Sequence, residues 1–213
     1  MDSNDLRSQI GRVIQEDERT RSAATAITNQ ARRMGASLTE EQKAGLVGFV
    51  RAYVQETPDI LDAVFAAASQ AGVLDGLRPV FDAAFQYWAE ENDFIPDHMG
   101  LLGLADDAYL SRHLMEVASG LTQQRTGRPL LNVDLGPPNQ LMRGLLGEPF
   151  ASQLDAIVAQ TVAAQMIQAG LQQLAGFGAM FPLMTSGLGA GSNSDLSYEA
   201  DLRLAAMGGP LPR

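Results

Sequence analysis

Hydrophobic positions along this chain recur at helical spacing almost everywhere. Leu6, Ile10, Val13, Asp17, Thr20, Ala24, Ile27, Ala31 and Met34 step by alternating fours and threes, the register of a heptad seam, with Asp17 and Thr20 as polar interruptions. That pattern predicts a helical arm over residues 1–37, read either as an amphipathic helix lying on the domain or as a pairing arm. Thr39 followed by Gln42 forms a capping box, and Glu40 and Glu41 fall where a helix N-terminus favours anions. The helix it opens carries Leu46, Phe49, Val50, Tyr53 and Val54 on its apolar side and is expected to end at Pro58. A second helix follows from Asp59 to the stop at Gly72, and a third places Val80, Phe81, Ala84, Phe85 and Trp88 on one face as core. No run of alternating β-branched residues bounded by turn pairs predicts a strand.

Beyond these helices the pattern changes character. Residues 122–149 are rich in Gly and Pro and read as a long ordered loop or a short-helix connection. Residues 150–193 hold nearly all of a 39-residue run, between Asp155 and Asp195, without any charge. Its first part places Leu154, Ile157, Val158, Val162, Met166, Leu171 and Leu174 on one side of a helix; five glutamines interrupt it, and Gly and Pro break up the rest. An uninterrupted span of about 20 apolar residues, which a bilayer requires, is therefore not expected. Residues 194–213 form a tail. The prediction is an all-α protein: a single helical bundle-like domain with core 38–121, the N-terminal arm and an apolar C-terminal helix.

Charge narrows the function classes. The net charge is −10, and it is uneven: +1 over residues 1–37, −8 over 38–97, −2 over 98–155 and −1 over the remainder. The acidic middle repels phosphate backbones, so nucleic acid is not an expected partner. Lys43 is the single lysine beside fourteen arginines, and no phosphate-loop motif surrounds it. The chain has no cysteine, which removes disulfides, thiolate metal sites and cysteine nucleophiles and accords with a reducing compartment. The polar N-terminus "MDSNDLRSQIGRV" has no apolar signal core, so the expected location is cytoplasmic.

Candidate chemistry gathers in "NDFIPDHMGLLGLADDAYLSRH", residues 92–113, which holds both histidines and four aspartates. Pro96 fits the first turn of a helix and keeps Ile95 extended. Projected at 100° per residue from Leu102 to Val117, Leu102, Asp106, Tyr109, Leu110, His113 and Val117 share one face, with Asp107 about a quarter-turn away. Ionisable groups on a buried stripe need partners, since unpaired burial costs several kcal/mol or shifts the pKa. As a structural joint, Asp106 accepts from backbone N–H groups near the Ile95–His98 turn or from Tyr109. As a site, Asp97, His98, Asp106, Asp107 and His113 supply oxygen and imidazole ligands to a divalent metal able to activate water, or do acid–base chemistry without one. The spacing matches no established ligand motif, and no G-x-S-x-G elbow is present.

The same residues resemble the YkvA-like family, a bacterial domain of unknown function. Its hallmark is an Ile-Pro-Asp turn followed, after a hydrophobic Gly-containing link, by a Leu-Asp-Asp-like step into a helix. Here "DFIPDHMGLLGLADD" places Ile95, Pro96, Asp97, Gly103, Asp106 and Asp107 on that pattern, with Ala105 in the apolar position before the acid pair and Tyr109 one turn on. The resemblance covers residues 80–118 and implies a small helical hairpin, a bacterial source and no activity to carry over. The leading expectation is a non-catalytic helical interaction or scaffold protein of an assembly, an oligomer or a partner-bound chain docking through residues 6–34 and 154–174, with no cofactor. Its alternatives are a metal-dependent hydrolase using the Asp/His cluster at 97–113 and a peripheral membrane-associated protein using residues 154–190.

Overall fold

The computed structural model describes residues 2–89 and 97–168, of which 97–99 and 165–168 by backbone alone. Among them the chain forms α1 (Ser3–Thr20), α2 (Ser22–Arg33), α3 (Glu40–Gln70), α4 (Leu74–Tyr87), a 3₁₀ segment (Asp97–Leu102), α5 (Ala105–Thr126), α6 (Gly136–Leu146) and α7 (Phe150–Gln168), and no strand. The all-α fold is as expected. No helix among the described residues is long and apolar enough to cross a membrane.

The arm is two helices rather than one. Arg21 takes a left-handed conformation at φ 54°, and Asp17, buried, accepts from Ser22 Oγ at 2.5 Å and from the Ala23 N–H at 2.8 Å. What the heptad pattern shows as an interruption is the cap of a corner: a carboxylate from one helix satisfies the free donors that open the next. Leu6, Ile10, Ile14, Ala23 and Ile27 are buried in the common core, Ala31 is buried as well, and α1 and α2 lie against α3 and the 3₁₀ segment. The arm's apolar stripe is thus used within the chain, and so are Leu154, Val158 and Val162 of α7. Polar contacts fasten the outside of this arm: Arg7 Nη2 reaches Asp59 at 2.6 Å and Asp62 at 2.7 Å, so the basic N-terminus neutralises part of the acidic middle.

The capping box at Thr39 forms as expected, Gln42 N–H to Thr39 Oγ1 at 3.2 Å and Thr39 N–H to Gln42 Oε1 at 2.8 Å. The expected stop at Pro58 does not. The proline lies inside α3, which runs 31 residues. A proline there removes one backbone donor and crowds the carbonyls one turn upstream. The Tyr53 carbonyl in that turn receives two side-chain donors, Thr57 Oγ1 at 2.9 Å and Arg112 Nη1 at 3.0 Å. The carbonyl that Pro58 leaves without its helical donor is that of Val54, so these two bonds brace the turn without replacing the missing one.

Residues 122–149 resolve into the end of α5, a loop at 127–135 and α6. Pro137 and Pro138 occupy the first turn of α6, where a missing N–H costs little. The organising element is α5, which packs against α3, α4, α6, α7 and the 3₁₀ segment. Every residue from Ala105 to Met115 is buried. The helix therefore has no single buried stripe in this half: surrounded on all sides, it carries its polar groups into the core.

Candidate functional site

A central helix that includes Asp106, Asp107, Ser111, Arg112 and His113 must satisfy each of them from its neighbours. Asp106 and Asp107 sit in the first turn of α5, where the unbonded N–H groups favour negative charge. Both are buried and neither is without a partner. The helix starts at Ala105, three residues later than the projection assumed; the preceding Gly100–Gly103 turn is closed by the Gly103 N–H on the Gly100 carbonyl at 2.8 Å. Ser111 accepts from Trp88 Nε1 at 2.8 Å, tying α5 to the end of α4.

His113 lies elsewhere, two turns and about 10 Å along the axis from Asp106. Its Nδ1 is 3.2 Å from Glu116 Oε2, and its Nε2 is 4.0 Å from Asp155 Oδ1 on α7. The ring stacks on Tyr109 with centroids 5.6 Å apart. Tyr109 donates its hydroxyl to the same Asp155 oxygen at 2.6 Å, and Arg143 Nε on α6 holds the other at 2.9 Å. Glu116 in turn accepts from Asn139 Nδ2 at 2.7 Å, while Tyr53 donates to Asn139 Oδ1 at 2.6 Å. A continuous polar chain therefore runs from Tyr53 through Asn139, Glu116, His113 and Asp155 to Arg143, joining α3, α5, α6 and α7.

The electrostatics of this chain are those of a locked network. Burial pushes the Tyr53 hydroxyl pKa far up, and it does the same for Tyr109, reinforced by the Asp155 carboxylate, so both remain neutral donors. Burial also raises the Glu116 carboxyl, but hydrogen bonds from His113 and Asn139, with the charge of His113, outweigh it and leave the group below its usual range. Burial lowers the Arg143 guanidinium, yet Asp155 overcomes that and raises it. Arg112 goes the other way: burial dominates and lowers it, against the opposing pull of Tyr53 and Glu56.

Beside this chain, α5 and the 127–135 loop enclose a groove of about 510 Å³, its lining including Glu116, Ser119, Gln123, Leu131, Val133 and Asp134. Ser119 Oγ holds the loop by accepting from the Leu130 N–H at 3.0 Å, and Asp134 Oδ1 accepts from the Gly136 N–H at 2.9 Å to start α6. Val133 is 67% exposed in this groove. Glu116 belongs to both features: one carboxylate oxygen closes the network and its side chain borders the groove.

Of the residues singled out from the sequence, Asp106 and Asp107 lie together at the start of α5, and His113 and Tyr109 lie together in the network two turns away. Gly103 closes the turn that leads into α5. Ile95 and Pro96, and the side chains of Asp97 and His98, lie outside the described residues. Among the described residues no group of three or more His, Asp or Glu side chains is arranged to hold a metal ion. Sequence reasoning missed Glu116, Asn139, Arg143, Asp155, Tyr53 and Arg112. Two signals were readable: Glu116 stands at i+3 from His113, and Asp155 is the last charge before the long uncharged run. No family model, curated protein or solved structure matches the chain. The fold and the site together define an all-α protein with a partly buried polar network next to an open groove.

Proposed function

We propose that the protein is a non-catalytic helical interaction protein, working in an assembly by docking on copies of itself or on a partner. The observation that supports this reading is the groove at 127–135, where Val133 stands exposed beside Glu116 and Asp134. The ionisable groups of the network point the same way, because each is tied to named neighbours rather than held ready for proton transfer with a substrate. Much of the apolar stripe of 6–34 and Leu154, Val158 and Val162 serve the core, while Met166, Leu171 and Leu174 of the expected docking stretch 154–174 lie outside the described side chains. Among the described residues the groove is therefore the surface that supports docking. The resemblance of residues 80–118 to YkvA-like domains is consistent with a role without catalysis.

Light-scattering mass across a range of concentrations tests the reading. The expected result is a mass that rises with concentration and returns to that of the monomer in Val133→Asp. A monomer at every concentration would remove self-docking. Elemental analysis of tag-free chain separates the alternative: a stoichiometric divalent ion that is lost in Asp106→Ala would replace docking by metal-dependent hydrolysis. Co-sedimentation with anionic and neutral vesicles would do the same for the membrane reading.

A further inference from the structure

His113 is the one ring in the network whose two nitrogens both face carboxylates. Glu116 Oε2 lies 3.2 Å from Nδ1 and Asp155 Oδ1 lies 4.0 Å from Nε2. A neutral imidazole has a single N–H, so one carboxylate must face a lone pair; an imidazolium turns an N–H to each, hydrogen-bonding Glu116 and pairing in charge with Asp155. The position is therefore fully satisfied only with the proton bound. Stacking on Tyr109 and burial keep the ring from turning away to solvent.

We propose that His113 is a proton-operated latch that fastens α7 to α5 and sets the charge at the wall of the groove beside Glu116. The groups that face it decide how the latch opens. Tyr109 and Glu116 on α5 and Asp155 on α7 meet the ring directly. Behind them Asn139 of α6, backed by Tyr53 of α3, holds Glu116; Arg143 of α6 holds Asp155 and is itself bonded to Glu148 at 2.9 Å; and the Arg112–Glu56 pair lies next along α5 and α3. The Glu116 contact has hydrogen-bond length, whereas the Asp155 contact at 4.0 Å is an ion pair without one. When the proton leaves, the remaining N–H stays on Nδ1 with Glu116, and the bare Nε2 lone pair confronts Asp155. Asp155 keeps Tyr109 and Arg143, and Glu116 keeps Asn139, so the bundle does not come apart. It loses the α5–α7 ion pair, and the wall of the groove becomes one charge more negative.

The consequence for the groove rests on the docking reading above; the latch itself does not, and the two fail separately, one by mass and one by the experiment that follows. Hydrogen-exchange protection of the α7 amides, corrected for intrinsic rates, is measured in the full chain as pH is raised through the His113 titration followed by NMR. Protection in α7 is expected to fall about threefold to fivefold while α6 holds, the scale of one partly exposed ion pair. The response should vanish in His113→Gln and persist in His98→Gln. Unchanged α7 protection, or a response that survives in His113→Gln, would overturn the proposal. Should His113→Gln fail to fold, the imidazole ¹⁵N shifts of the wild-type chain decide: a neutral ring protonated on Nδ1 supports the latch, and one protonated on Nε2 refutes it.

Discussion

The guanidinium of Arg112 lies 4.0 Å over the ring of Tyr53 while its Nη1 donates to the backbone carbonyl of that same residue. One side chain thus reads both the ring and the main chain of a helix it crosses. Its target is the turn of α3 immediately before Pro58, where Thr57 Oγ1 donates as well. A buried charge on the central helix braces the turn of α3 that precedes its proline.

That arrangement is imperfectly satisfied, and the imperfection makes a prediction. Arg112 Nε has no hydrogen-bond partner among the described residues, and Glu56, at 3.7 Å, is 63% exposed. Replacement by methionine keeps most of the packing and removes the desolvation of the charge. Replacement by lysine keeps a charge but cannot cover the ring and reach the carbonyl together. Arg112→Met is expected to cost under about 1.5 kcal/mol and Arg112→Lys about 2–3 kcal/mol in urea unfolding. The reverse order would mean that the guanidinium's contacts outweigh its burial.

Tyr53 and Asn139 are both buried and share a 2.6 Å hydrogen bond across α3 and α6. Tyr53→Phe leaves the Asn139 carbonyl without its donor, for a cost of about 1–3 kcal/mol. Asn139→Ala removes this bond and the one to Glu116, and should cost more than Tyr53→Phe. In a double-mutant cycle the pair should be less damaging than the two single changes added, by about 0.5–3 kcal/mol. Additivity would show that the bond contributes nothing of its own.

Gly100 has φ +70°, and a Cβ there would come 2.5 Å from Ser22 Oγ. Two separate penalties follow, one of conformation and one of space. Gly100→Ala should cost about 2 kcal/mol or more in thermal or urea unfolding. In a Ser22→Ala background the same change should cost less, because only the conformational part survives. An equal cost in both backgrounds would mean that the Ser22 hydroxyl moves aside freely.

How far the sequence could be read follows from where each determinant lies. The Thr39–Gln42 cap is local and was legible; so was the helical period, and so was the need of Asp106 and His113 for partners. Arg21 as a corner was not, because only the burial of Asp17 reveals that this carboxylate caps α2. Pro58 misled because an interior proline removes only one backbone bond, and the packing of α3 against α1 and α5 holds the helix on both sides of it. The projection of one buried face on α5 failed for a related reason. A helix enclosed by α3, α4, α6 and α7 has no solvent side over Ala105–Met115, and a single-helix projection cannot contain its neighbours. The partners of His113 divided the same way: Glu116 was within reach on the same helix, whereas Asp155 is placed by the packing of α7.

Acid should act on the network through Glu116. Its carboxyl is held below the usual range in the folded chain: burial opposes this, and the bonds from His113 and Asn139 prevail. A carboxyl with a depressed folded value stabilises the fold at pH above its unfolded value of about 4.3, and that contribution is lost as pH falls through the folded value. Glu116→Gln retains an acceptor for Asn139 but cannot ionise. The stability difference between wild type and Glu116→Gln should therefore be steady near pH 5–6 and shrink on acidification toward pH 3, as read from urea unfolding at each pH. A difference that stays constant or widens below pH 4 would show that Glu116 is no better stabilised as an anion in the fold than in the unfolded chain.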